Sequence, residues 1–131
     1  MMKKIVVLLL LMISTSVLAE WTSVTGSNDG DMTVYIDSET IKRKGNKVKI
    51  WSLIDYKTVQ ETISYRYLSS VTLNEYDCEE EIKRMLDLHW YSGNMRQGDI
   101  VYSIRNIKDE PESIVPGSLI EVVFKIACGK K

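Results

Sequence analysis

The chain is short of the residues that usually announce chemistry. It has one histidine, one phenylalanine, two prolines and two cysteines. A single histidine, His89, rules out a histidine-rich metal centre, and with no partner evident in the sequence it reads as a surface or sheet residue rather than a general base. The two cysteines form no C-x-x-C pair, which argues against a redox or zinc motif. Basic charge is not in surplus either: 17 Lys and Arg stand against 18 Asp and Glu. Phosphate backbones are bound by a basic excess, so nucleic acid is not an expected partner.

The remaining candidates for chemistry also fail on spacing. Ser118 sits in Pro-Gly-Ser-Leu, without the G-x-S-x-G elbow that exposes a nucleophile, and suits a helix start instead. Glu79-Glu80-Glu81 reads as a solvated turn. Asn28-Asp29-Gly30-Asp31 hints at a calcium loop, but with Gly30 as its sixth position Thr25 and Ile36 would stand where carboxylates are needed. No catalytic residue, metal or cofactor is therefore expected, and the chain reads as a non-enzyme.

What is present begins at the amino terminus. Met1-Met2-Lys3-Lys4 is a positive start, Ile5 to Ile13 is an unbroken apolar run, and Val17-Leu18-Ala19 offers small or modest residues where a signal peptidase reads. The run is shorter than the ~18 to 20 residues that cross a bilayer. Cleavage between Ala19 and Glu20 is expected, with no cysteine nearby to take a lipid. That leaves residues 20–131 as a single domain, periplasmic or secreted, with no stable membrane anchor.

Strand periodicity dominates the rest. Trp21 to Thr25 opens as a strand and Ser27-Asn28-Asp29-Gly30 turns it. Met32, Val34 and Ile36 then share a face opposite Tyr35. In Lys47 to Tyr56, the strongest strand, Val48, Ile50 and Ile54 point one way and Trp51 and Leu53 the other, so both faces are expected to be covered. Lys57 to Ser64 is polar and reads as a loop. Tyr65 to Tyr76 resumes alternation, with Tyr65, Tyr67, Val71 and Leu73 on one side. Residues 79–91 fit either a helical stripe or a strand interrupted by Arg84; the Ser92-Gly93-Asn94 turn and the following Gly98 to Ile104 strand favour the strand. Leu119, Ile120, Val122, Val123, Ile126 and Ala127 form a helical stripe, with Pro116 in its first turn and Gly129 past its end. The expected fold is α+β: a meandering antiparallel sheet of about six strands with one carboxyl-terminal helix packed on it. A disulfide between Cys78 and Cys128 is expected to pin helix to sheet, as suits a small exported domain.

Several stretches taken in order resemble the surface-adhesin protein E family of proteobacterial envelope proteins. They are Val34-Tyr35-Ile36-Asp37, Ile41 to Asn46, Val48 to Tyr56, Ser69-Ser70, Glu75 to Cys78, Tyr91 to Met95, Val115 to Ser118 and Ala127-Cys128. The resemblance spans the exported part and implies a sheet of about six strands with a carboxyl-terminal helix. By analogy it also implies binding to host matrix proteins at a cell surface. The residues themselves offer one binding candidate, a basic patch of Lys42, Arg43, Lys44, Lys47 and Lys49 around the Gly45-Asn46 reversal. Such a patch would attract an acidic polymer or an acidic protein segment. The expected function is a non-enzymatic, adhesin-like envelope module. The alternative is a small periplasmic inhibitor of a cell-wall hydrolase, which would share the compact, exported, disulfide-linked design.

Overall fold

The computed structural model describes residues 20–129. The proposed signal segment, Met1 to Ala19, lies outside the described residues. Eight strands follow: β1 (Trp21–Gly26), β2 (Met32–Asp37), β3 (Lys42–Lys44), β4 (Lys47–Glu61), β5 (Arg66–Asp77), β6 (Ile82–Tyr91), β7 (Ile100–Ile104) and β8 (Glu112–Ser113). One helix, α1 (Leu119–Ala127), closes the chain. The strands form one open antiparallel sheet in the order β1-β2-β4-β5-β6-β7. The short β3 and β8 pair with β4 and β6 off that path. The expected α+β meander is thus a path of six strands with two short additions.

The alternation read along β4 assigns the two faces. Val34, Ile36, Val48, Ile50 and Tyr76 are buried with Val123, Phe124 and Ala127 of α1. On the opposite, open face Leu53, Val71 and Tyr91 are buried, with Trp21, Tyr35, Trp51 and Met95 packed against them. Ser118 caps α1, its Oγ accepting from the Glu121 amide at 3.2 Å while donating to the Val115 carbonyl at 2.6 Å. Glu121 Oε1 in turn accepts from the Gly117 amide at 3.3 Å and lies 3.6 Å from Lys125 Nζ. Pro116 stands before the cap rather than in the first turn, because Gly117, at φ +79°, reverses the chain between them. Gly129 leaves the helix at φ +65°, as a terminating residue does. The Cys78–Cys128 disulfide, with Cα atoms 5.6 Å apart, joins the end of β5 to the end of α1.

Two further expectations need correction. Lys57 to Ser64 is not a loop: β4 continues to Glu61, and Gln60 and Glu61 pair with Tyr67 and Arg66 after a register shift. The segment is polar because these arms project past the core, leaving residues 57–59 exposed where the register shifts and Glu61 exposed where the pairing resumes. In the helix stripe, Ile126 is 39% exposed and Phe124, outside the expected set, is 3% exposed. At about 100° per residue Ile126 lies some 200° round from Phe124, so only one of them faces the sheet. Residues 82–91 are a strand, as favoured.

Tyr76 is fully buried, its ring centroid 6.0 Å from that of Phe124, and its hydroxyl has no aligned hydrogen-bond partner although Asn74 is close. Burial pushes its ionisation well above the ordinary tyrosine value and pushes Tyr56 up to about 12. Because both values are raised, the stability they lend is complete below pH ~10 and is lost as pH climbs from there through about 12. Tyr76→Phe removes a hydroxyl that gains nothing from burial. It should leave stability unchanged or raise it by up to about 1 kcal/mol at neutral pH, and should flatten the alkaline decline. Thermal melts between pH 8 and 12 measure this; a destabilised variant with the wild-type alkaline slope would contradict it.

Candidate functional site

The basic hairpin is built by β3, the Gly45-Asn46 reversal and the start of β4. Gly45 takes φ +61°, a backbone position that side-chain-bearing residues resist. The register sets Lys42 opposite Lys49, Lys44 opposite Lys47 and Arg43 opposite Val48. Opposed residues of an antiparallel pair share a face, so the four lysines stand together while Arg43 joins buried Val48 on the helix side. There Arg43 Nη2 donates to the Ala127 carbonyl at 2.6 Å, closing the carboxyl end of α1. Lys47 Nζ lies 3.9 Å from Glu75 Oε1, an oxygen that Arg84 also approaches at 3.6 Å. Lys42, Lys44 and Lys49 meet no carboxylate among the described residues. The five residues and Glu75 line a depression of about 560 Å³.

A second site occupies the open face. A cavity of about 390 Å³ is floored by Trp51, Val71, His89 and Tyr91. One wall holds Trp21, Asp37 and Thr40; the other holds Arg96, Ile100, Ser103 and Arg105. Trp21 belongs to β1 and Ile100 to β7, the two ends of the strand path. A flat six-strand sheet would hold those ends about 24 Å apart, so the sheet must curl toward this face to let both line one cavity.

Arg96 reaches the cavity from a strained turn. Met95 and Arg96 are consecutive non-glycine residues in the left-handed region, at φ 51° and 64°. Such residues cost on the order of 1 to 3 kcal/mol each and persist only where their surroundings hold them. Here Asp55 Oδ1 accepts from the Met95 amide at 2.7 Å and from Asn94 Nδ2 at 3.1 Å. Ser69 Oγ accepts from the Arg96 amide at 3.0 Å and donates to the Gly93 carbonyl at 2.7 Å. Three of the stretches that carried the family resemblance, around Asp55, Ser69 and Gly93-Asn94-Met95, therefore meet in one clamp. Arg96 itself donates from Nε to Tyr91 Oη at 3.2 Å, and its guanidinium carbon lies 5.9 Å from the centroid of that ring.

His89 has the partner that its sequence context did not show. Its Nδ1 is 2.6 Å from Ser103 Oγ across the β6–β7 pair, and its ring stacks near Trp51 at a centroid distance of 6.1 Å. Asp87 Oδ2 lies 3.8 Å from His89 Nε2, too far for a hydrogen bond, and Asp87 Oδ1 accepts from the Asn106 amide at 3.3 Å. The arrangement is a cross-strand pair at the cavity floor. Beside the projecting β4–β5 arms, Tyr67 stacks on Trp90 at 4.3 Å, and Tyr65 and Tyr102 pack against Trp90 at 5.9 Å and 4.9 Å. These rings brace the arms on the β6–β7 pair.

Sequence reasoning found the basic hairpin but not the open-face cavity, whose residues are scattered from Trp21 to Arg105. The usable signal was the aromatic set at odd positions, Tyr35, Trp51 and Tyr91, on the face that the helix leaves uncovered. Among the described residues no helix is long and apolar enough to cross a membrane.

A family model described as surface-adhesin protein E matches residues 21–129. The chain is similar in structure to Haemophilus influenzae protein E, with a TM-score of 0.59 at 15% identity, covering 82% of this chain and 83% of that one. A structure of protein E from non-typeable Haemophilus influenzae gives 0.58 at 17% identity, covering 88% of this chain and 79% of that one. At these identities the likeness shows the fold alone. No curated protein sequence matches the chain.

Proposed function

Because the chain belongs to the surface-adhesin protein E family, we propose that it is an exported, non-enzymatic binding module whose lysine face engages an acidic polymer or an acidic segment of a host protein. Family membership supports the adhesin-like role, and an exported or surface location agrees with it. Cleavage after Ala19, leaving residues 20–131 as one domain, is part of the same proposal.

The observation that carries the choice of surface is the pairing of like charges. Lys42 faces Lys49 and Lys44 faces Lys47, and directly opposed like charges destabilise a strand pair. Lys47 and Lys49 lie on β4, which is paired on both sides here, so edge protection does not account for them. A polyanion laid along this face would relieve the repulsion and draw its acidic groups from long range.

Replacing Lys42, Lys44, Lys47 and Lys49 together with glutamine should weaken binding to a heparin oligosaccharide by about tenfold or more, with elution from a heparin column at lower salt. Arg43→Gln alone should leave elution unchanged but lower stability by about 1 to 3 kcal/mol, because it loses a charged donor to the helix end. Identical elution of the quadruple variant and wild type would remove this reading.

A second reading has one observation behind it. The β4–β5 arms end in a turn at residues 62–65 where Ile63 is wholly exposed, a shape suited to entering an enzyme cleft. A lysozyme inhibition assay with wild type and Ile63→Ser separates the two readings.

A further inference from the structure

We infer that the open-face cavity is a second binding site, for a small planar apolar molecule that carries a carboxylate. Its volume of about 390 Å³ falls in the range of small-molecule pockets and exceeds what a few waters need. Three aromatic side chains, Trp21, Trp51 and Tyr91, supply the apolar surface for a flat body. The charged wall supplies the other half. Arg96 uses only Nε on Tyr91, which leaves its terminal nitrogens available, and Arg105 meets no carboxylate among the described residues. Asp37, the acidic residue of the lining, is buried, its Oδ1 accepts from the Glu39 amide in the turn after β2, and it forms no ion pair with Arg96 or Arg105 among the described residues.

A guanidinium fork matches a carboxylate in two parallel hydrogen bonds, which a lysine does not. The backbone around Arg96 also points to a ligand. Two consecutive left-handed residues are held by side chains from β4 and β5, and the outcome of that strain is to fix Arg96 at the cavity wall. The Ser103–His89 pair adds a hydroxyl and an imidazole at the floor, where a ring substituent could be recognised.

The site is separate from the lysine face, and the test keeps the two apart. Oxidised wild-type protein is titrated with 1-naphthoate and, in parallel, with neutral 1-naphthamide, following tryptophan fluorescence and amide and indole nuclear magnetic resonance shifts. Naphthoate is expected to shift the Trp21 and Trp51 indoles and to leave Trp90 unmoved. Naphthamide is expected to bind about tenfold more weakly, and Arg96→Gln/Arg105→Gln is expected to abolish that preference. The quadruple lysine variant is expected to bind naphthoate as wild type does. Equal affinity for acid and amide in the wild type would overturn the inference without reliance on any variant. So would shifts confined to the lysine hairpin, or no shift at millimolar naphthoate.

Discussion

Exchanging Cys78 and Cys128 together for alanine is expected to lower the unfolding free energy by about 4 kcal/mol, the value the chain-entropy account assigns to a closed loop of this length. The bridge spans a sequence separation of 50 and connects the last element to the middle of the sheet. Small domains have only about 5 to 15 kcal/mol in all, so the loss is a large share of the total. For a domain of this size it corresponds to a fall in melting temperature on the order of 20 °C. The loss should also be directional. α1 meets the sheet through Val123, Phe124 and Ala127, and without the bridge its carboxyl end is held by the packing of Phe124 and Ala127 and by Arg43 on the Ala127 carbonyl. Amide exchange in Leu119–Ala127 should therefore quicken before exchange in β4 and β5 does. A melting shift of a degree or two, or uniform loosening of the whole sheet, would contradict this account.

Phe124→Ala should be nearly as costly, at about 3 to 5 kcal/mol by equilibrium denaturation. The ring is 3% exposed and packs on Tyr76, against Val48 and Ile50 of the same cluster. The void would form under a helix whose two ends are fixed by Ser118 and the disulfide, so the surroundings have little freedom to collapse into it. Ile126→Ala, two residues on and facing outward, should change stability by no more than about 0.5 kcal/mol. Equal costs at the two positions would show that the helix is docked differently. Because Phe124 and the disulfide hold the same element, their combined loss should fall short of the sum of the single losses.

The strands were legible where alternation was clean, and the two faces of β4 could be assigned from its residues alone. Residues 82–91 were ambiguous for a physical reason. Leu73 pairs with Asp87 but Asn74 with Met85, so an extra residue at Leu86 interrupts the pairing. Leu88 and Trp90 therefore share a face with Met85 and Lys83 rather than with Ile82, and no single period fits the segment. The β4 arm, residues 57–61, was missed because a strand that projects past the core carries little apolar signature, whereas the facing β5 arm was legible from Tyr65 and Tyr67. The lysine hairpin was visible as a charge run around Gly45, yet the diversion of Arg43 to the helix end depends on a contact across 84 positions. The sequence did not single out Arg96. The side chains of Asp55 and Ser69, brought in by other strands, fix its backbone, and Tyr91 of β6 holds its guanidinium.

The disulfide also decides how this protein would answer tension. Without the bridge, a pull applied at Gly129 would strip α1 from the sheet and then unravel β8, β7 and β6 in turn. With the bridge closed, the load passes through the sulfurs from Cys128 to Cys78 and enters at the end of β5, flanked by β4 and β6. The intervening residues are withdrawn from extension, about 170 Å of contour length that force cannot release. An oxidised molecule is thus a short tether and a reduced one a long tether, with the same sheet at rest.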